Sequence, residues 1–96
     1  MFIHSVLFEV KPRQVKAYRQ DSKMWARFAR QAKGFKVYLT VQRNKQKNQY
    51  ASVYVWKDKV SHTRFMRKFH DWLVSKSQAK VKVLGYYNFQ GLDQIK

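Results

Sequence analysis

Ala32-Lys33-Gly34-Phe35-Lys36-Val37-Tyr38-Leu39-Thr40-Val41-Gln42 is the stretch on which the fold turns, because the apolar period changes within it. Upstream, from Arg13 to Ala32, the residues Val15, Tyr18, Ser22, Trp25, Phe28, Ala29 and Ala32 fall in one arc at about 100° per residue, the signature of an amphipathic helix. Pro12 stands where a first helical turn tolerates it. Gly34 is placed to end that helix as a C′ glycine. Downstream, Phe35, Val37, Leu39 and Val41 alternate with Lys36, Tyr38, Thr40 and Gln42, which predicts a strand.

The same readings extend outward. Phe2 to Val10 is β-branched and aromatic and reads as a first strand, with Phe2, His4, Val6, Phe8 and Val10 on one face. Arg43 to Gln49 is wholly polar and joins the second strand to a third, Tyr50 to Trp56, as a hairpin. Asp58 is a good N-cap for a second helix running to about Ser77, with Phe65, Phe69, Trp72 and Leu73 in its apolar arc and Met66 at the margin. Val81 to Phe89 is a fourth strand, and residues 91–96 read as a tail. The order βαββαβ predicts a ferredoxin-like α+β fold, a four-stranded antiparallel sheet with both helices on one face. At 96 residues the chain is expected to form one domain.

Three of the four strands carry apolar or aromatic residues on both faces, yet two helices cover only one. Burying half of the remaining face contributes on the order of several kcal/mol at ~25 cal/mol per Å². A sheet-to-sheet homodimer is therefore expected.

Composition narrows the function classes. Apolar types make up 45% and aromatics 17%, too hydrophobic for a disordered segment. No apolar run is long enough to span a bilayer, and Met1 to Val10 has neither the basic flank nor the small-residue site of a signal peptide, so a cytoplasmic location without membrane insertion is expected. Cysteine is absent, which removes disulfides, thiolate metal sites and a Cys nucleophile together. Three glycines, at 34, 85 and 91, form neither a phosphate-cradling loop nor a nucleophile elbow. Glu9, Asp21, Asp58, Asp71 and Asp93 are too scattered for a glycosidase pair.

Charge is the unusual property. Twenty-one Lys and Arg stand against five acids, for a net charge of +16. Arg13, Lys16, Arg19, Lys23, Arg27 and Arg30 gather on the side of the first helix opposite Trp25 and Phe28. Two readings stay open, a solvated outer face and a phosphate-binding stripe with a log–log salt slope of about −5 if all six engage. Like charges three and four residues apart repel by a few tenths of a kcal/mol per pair, so the missing acids call for a reason. A second nucleic-acid reading notes that RNA-recognition motifs share this strand order and that Lys33-Gly34-Phe35-Lys36-Val37-Tyr38 echoes one of their signatures, with base stacking on Tyr38, Tyr50 and Tyr54. An acidic protein partner is a third use for the charge.

For chemistry, His70 is the candidate catalytic residue, either bordering the core or lining a cavity as a proton acceptor. Asp71, its neighbour, points about 100° away on a helix and is not expected to orient it. His62 lies in the second helix's apolar arc, one turn after Asp58. A metal site from His4, His62 and His70 lacks ligand spacing, and none is expected. The aromatic set, Trp25, Phe28, Tyr38, Trp56, Phe65 and Phe69 with Met66 and His62, reads mainly as core, with a remainder lining an apolar ligand pocket.

Ala32-Lys33-Gly34-Phe35, Tyr54-Val55-Trp56-Lys57-Asp58-Lys59, Phe65-Met66 and His70-Asp71 together resemble the dimeric α/β-barrel superfamily, specifically the antibiotic-biosynthesis-monooxygenase-like domains. The last combination is similar to a small branch rather than to the characterised enzymes. The resemblance covers the first strand through the fourth and implies a homodimer with a small-ligand cavity between helices and sheet in each subunit. It also implies relatives that oxygenate aromatic substrates without a cofactor, and none is expected here. The haem-degrading relatives pair a helix-two Trp with a His ten residues on and an Asn on the first strand. Trp72 fits the first part, but Lys82 stands at the second and the first strand offers His4 and Ser5, so haem is not carried over.

Overall fold

The computed structural model describes residues 1–95. Its elements are β1 (Phe2–Glu9), a 3-10 turn (Pro12–Gln14), α1 (Val15–Ala29), β2 (Phe35–Gln42), β3 (Gln49–Trp56), α2 (Lys59–Lys76) and β4 (Lys82–Gln90). The sheet order is β2-β3-β1-β4, antiparallel throughout, with α1 and α2 on one face. This is the ferredoxin-like arrangement that the βαββαβ order predicts. Residues 91–95 carry no regular structure, and Lys96 lies outside the described residues.

Register assigns the faces. Phe2, His4 and Val6 pair with Trp56, Tyr54 and Ser52, and all six side chains are buried beneath the helices. Trp56, Phe65 and Leu73 are sealed from solvent, and with Phe2, Ala29 and Tyr54 they form the core. Asp58 caps α2 as expected, its Oδ1 accepting from Ser61 N–H at 2.9 Å and Ser61 Oγ–H at 2.7 Å. These bonds hold the Asp58 carboxyl below the usual carboxylate range. Trp72 departs from its expected burial. It is nearly half exposed, edge-on to Phe28 with Lys76 over its ring.

Two local expectations need correction. The β2–β3 register shifts between Phe35 and Val37, so Lys36 is an extra residue and Phe35 turns inward against Trp56 rather than sharing a face with Val37. Secondly, Gly34 does not sit at the C′ position of α1, because the helix ends at Ala29 in tightened i→i+3 bonds from Gln31 to Phe28 and from Ala32 to Ala29. Gly34 instead occupies φ +88° in the turn into β2, where its carbonyl accepts Lys57 N–H at 2.6 Å. A Cβ at this position would collide with Ser61 Oγ. Glycine is therefore required by backbone angle and by the close approach of α2 together.

The opposite sheet face is bare. Val37 (40%), Leu39 (47%), Val41 (42%), Tyr87 (50%) and Phe89 (56%) keep large fractions of their surface exposed there, beside half-buried Ile3, Leu7, Val53 and Val55. Tyr38, Tyr50 and Tyr54, by contrast, lie in register with the helix-facing set, and Tyr38 packs edge-on to Tyr54 at 4.5 Å. The RNA-recognition reading fails on this point, since those rings are turned away from the open face.

Gly34→Ala is expected to lower unfolding free energy by more than about 1 kcal/mol, through strained φ and the clash with α2. Urea denaturation followed by tryptophan fluorescence measures this, and an unchanged midpoint would refute the packing described.

Candidate functional site

The helices seal the sheet well around Trp56 and less well over β1 and β4. There a partly open cavity of about 500 Å³ lies between sheet and helices. Its floor is His4, Val6 and Phe8 of β1, Ser52 and Tyr54 of β3, and Val83 and Tyr86 of β4. Its roof is Tyr18, Ser22 and Trp25 of α1 with His62, Met66, His70 and Val74 of α2. Tyr38 reaches it from β2, and Ser77, Ala79 and Val81 close one side.

That closing segment is tied to α1. Asp21 accepts backbone N–H bonds from Gln78 (2.9 and 3.0 Å) and Ala79 (2.8 Å), and Gln14 Oε1 accepts from Lys80 N–H at 2.9 Å. Trp25 Nε1–H donates to Ser77 Oγ at 3.0 Å, which in turn donates to the Leu73 carbonyl at 2.8 Å. The one carboxylate at the cavity wall is thus already saturated by three hydrogen bonds.

The buried imidazole and hydroxyl groups facing the cavity are neutral. His4 and His62 lie with ring centroids 4.3 Å apart, tilted by 38°. His4 Nδ1 lies 2.6 Å from Asn88 Oδ1, which accepts, so Nδ1 carries the proton and Nε2 holds the lone pair. Burial keeps the His4 imidazole below its usual range, against the opposing Asn88 bond. Burial, then His4 and Lys59, pushes His62 down to about 4, and its Nδ1 is buried without a hydrogen-bond partner. Tyr18 Oη and Ser52 Oγ share a 2.8 Å hydrogen bond, and burial pushes the Tyr18 phenol up to about 12. Burial likewise raises Tyr54 well above an ordinary phenol. Among the described residues, no group of three His, Asp or Glu side chains is gathered for a metal ion.

Among the residues predicted from sequence, Trp25, Tyr38, His62, Met66 and His70 line the cavity. Trp56 and Phe65 are instead buried in the core, and partly buried Phe28 and Phe69 pack against each other at a tilt (5.6 Å) and do not line it. His70 stands at the rim with half of its side chain exposed, edge-on to Trp25. Its Nδ1 does reach Asp71 Oδ1, at 3.1 Å, contrary to the expectation from helix geometry. The 100° offset separates the Cβ directions, but two exposed side chains can rotate until their tips meet. Such a contact contributes little in water.

The deeper polar set, His4 with Tyr18, Ser22 and Ser52, was not assigned to a site from sequence. A local signal existed, because Ser22 and Ser52 interrupt otherwise apolar inward faces. Their convergence with His4 is a matter of tertiary structure. Lys16, Lys23 and Arg27 are exposed on α1, Arg30 at its C-cap and Arg13 in the 3-10 turn before it, and none of them lines the cavity.

No protein-family model and no curated protein sequence matches the chain. Solved structures match it along nearly its whole length. SnoaB, a cofactor-independent oxygenase from Streptomyces nogalater, is similar with a TM-score of 0.75 at 14% identity, over 98% of this chain and 95% of that one. A protein from Nitrosomonas europaea, provisionally described as an antibiotic biosynthesis monooxygenase, gives 0.72 at 13% identity over 97% and 100%. One from Deinococcus radiodurans with the same provisional description gives 0.71 at 16% over 100% and 97%. The chain has the antibiotic-biosynthesis-monooxygenase-like fold. At these identities the likeness is one of architecture, as the expectation from Ala32-Lys33-Gly34-Phe35 and its companion motifs requires. Among the described residues no helix is long and apolar enough to cross a membrane.

The buried histidines make stability pH-dependent with a definite sign. The folded state keeps His62 neutral down to about pH 4, whereas the unfolded chain takes up that proton near 6.5. Unfolding therefore binds a proton between those values, and stability falls as pH drops from about 6.5 towards 4. His4 adds a contribution of the same sign. The urea midpoint is expected to be lower at pH 4.5 than at pH 7, and His62→Gln to flatten that dependence; an identical slope in the variant would contradict the assignment.

Proposed function

We propose that the chain binds a small, neutral, aromatic or apolar molecule in the cavity over β1 and β4. The observation that carries this reading is a cavity of about 500 Å³ with a largely apolar and aromatic wall and uncharged imidazole and hydroxyl groups at its floor. That volume falls within the roughly 300–1,000 Å³ of small-molecule sites. An anionic ligand would find no Lys or Arg lining the cavity, and the Asp21 carboxylate is already engaged by the backbone N–H groups of Gln78 and Ala79.

The chemistry that fits is cofactor-independent oxygenation of an electron-rich hydroxyaromatic with an acidic CH₂ group, and the likeness to SnoaB favours it. The His4 Nε2 lone pair accepts the C–H proton. The resulting carbanion gives one electron to O₂, and recombination of the radical pair forms the C–O bond. The peroxide takes back a proton, and loss of water then leaves a carbonyl, so that CH₂ and O₂ become C=O and H₂O. Tyr18 and Ser52 share one hydrogen bond, and the hydroxyl whose proton is not used in it donates to the substrate oxygen. His70 at the rim exchanges protons with solvent. His4→Gln is expected to slow oxygen uptake by about 10²–10⁴-fold with little change in ligand affinity, the usual contribution of a general base. Met66→Trp, which narrows the cavity at its roof, is expected to weaken binding of a hydroxyaromatic probe such as 2-naphthol at least tenfold, measured by fluorescence quenching; wild-type affinity in that variant would end the proposal.

The exposed sheet face supports a second copy of the chain as its cover, so that two sheets close into a barrel. Its Val37, Leu39, Val41, Tyr87 and Phe89 are too apolar to remain in water on a stable monomer. Light scattering after size exclusion should give twice the chain mass at both low and high salt, and Leu39→Asp should give one. A salt-independent wild-type monomer would exclude the barrel.

A further inference from the structure

We infer that the outer side of α1 binds the phosphate backbone of duplex nucleic acid, at a surface separate from the cavity. Lys16, Arg19, Lys23, Arg27 and Arg30 follow one another at intervals of three or four residues and are all exposed. At ~1.5 Å rise per residue they form a line of about 21 Å, the length of roughly six base pairs. Lys59, Arg64, Arg67 and Lys68 line a shallow groove on α2, on the same side of the sheet.

The five acids do not offset this line. Asp21 is held by the backbone of Gln78 and Ala79, Asp58 by Ser61, and Asp71 by His70. Glu9 lies on β1 with its register partners in the opposite sheet face, and Asp93 lies beyond β4. Among the described residues no Lys or Arg approaches a carboxylate within ion-pair distance. The cations on α1 thus repel one another without internal relief, and an external polyanion relieves that repulsion while releasing its own counterions.

The partner's class follows from what lies between the cations. The exposed residues of α1 are Lys16, Arg19, Gln20, Lys23 and Arg27, with no apolar side chain among them; Arg19 and Lys23 border a groove towards Tyr38 and Tyr50, but both rings are half-buried and packed on Tyr54 and Tyr18 rather than presented as platforms. A bilayer surface needs an apolar wedge beside the charge, and a single strand needs aromatic platforms. A rigid duplex needs neither. Because the contacts are to phosphates, binding is independent of base sequence.

The test uses a fluorescein-labelled duplex DNA of mixed sequence and the full chain. Affinity is expected to fall about 10²–10³-fold between ~50 and ~200 mM salt, with a log–log slope of about −4 to −5. The triple variant Lys16→Gln/Lys23→Gln/Arg27→Gln should weaken binding at least tenfold at ~100 mM salt and reduce the slope by about 2.7, at ~0.9 per lost contact. Lys36→Gln/Lys45→Gln/Lys47→Gln removes the same charge from β2 and the hairpin and should change affinity less than threefold. Arg19→Gln/Arg30→Gln, on the same line, should act in the same direction and stands in if circular dichroism shows the first triple unfolded. Equal losses from both triples would reduce the effect to net charge and overturn the site. Absence of binding at ~50 mM, or tighter binding to phosphatidylserine vesicles than to the duplex, would overturn it as well. Met66→Trp should leave duplex binding unchanged, which separates this surface from the cavity.

Discussion

Two helices of 15 and 18 residues have to cover one face of a four-stranded sheet, and the way they fail to cover all of it organises the molecule. Trp56, Phe65 and Leu73 exclude solvent completely where α2 lies over β3 and the adjoining end of β1. Towards β4 the cover thins, and the gap becomes the cavity. Among the described residues nothing covers the opposite face. A ligand-sized hollow on one side of the sheet and an apolar surface on the other follow from the same shortage of helix.

The cavity's electrostatics follow from its position. A histidine pair at 4.3 Å in a mostly apolar site is held neutral, since two adjacent imidazolium charges without a carboxylate would repel and lose hydration together. Asp21 lies at the wall, but three backbone N–H bonds occupy it. No Lys or Arg lines the cavity, whereas the exterior carries the cations behind the net charge of +16. The two proposed activities use these two regions separately, one an apolar interior with neutral donors and acceptors, the other a hydrated cationic helix face.

The site was half legible. Trp25, Tyr38, His62, Met66 and His70 could be read from helix arcs and strand alternation, which report the direction of a side chain relative to its own element. They do not report whether a ring is already packed on both faces, and Phe65 and Trp56 consequently went to the core. His4 could be placed on one strand face with Phe2 and Val6, but its bond to Asn88 joins residues 84 apart in sequence. The His70–Asp71 contact was missed for a different reason, because backbone geometry limits where a side chain starts rather than where an exposed tip ends.

Element order, the two alternating faces of β1 and β3, the Asp58 cap and the cationic side of α1 are legible in the chain, since each depends on residues within a turn or two of one another. Where periodicity breaks is set by packing between distant segments. The extra residue at Lys36 turns Phe35 inward, and a second shift between Leu7 and Phe8 re-registers β4 beside the cavity. The same packing also moved Gly34 from helix end to inter-element turn, because its φ of +88° and its lack of a Cβ are demanded by Ser61 and Lys57, more than twenty residues away. Local spacing encodes direction, whereas register, closure and a cavity exist only once distant segments compete for the same space.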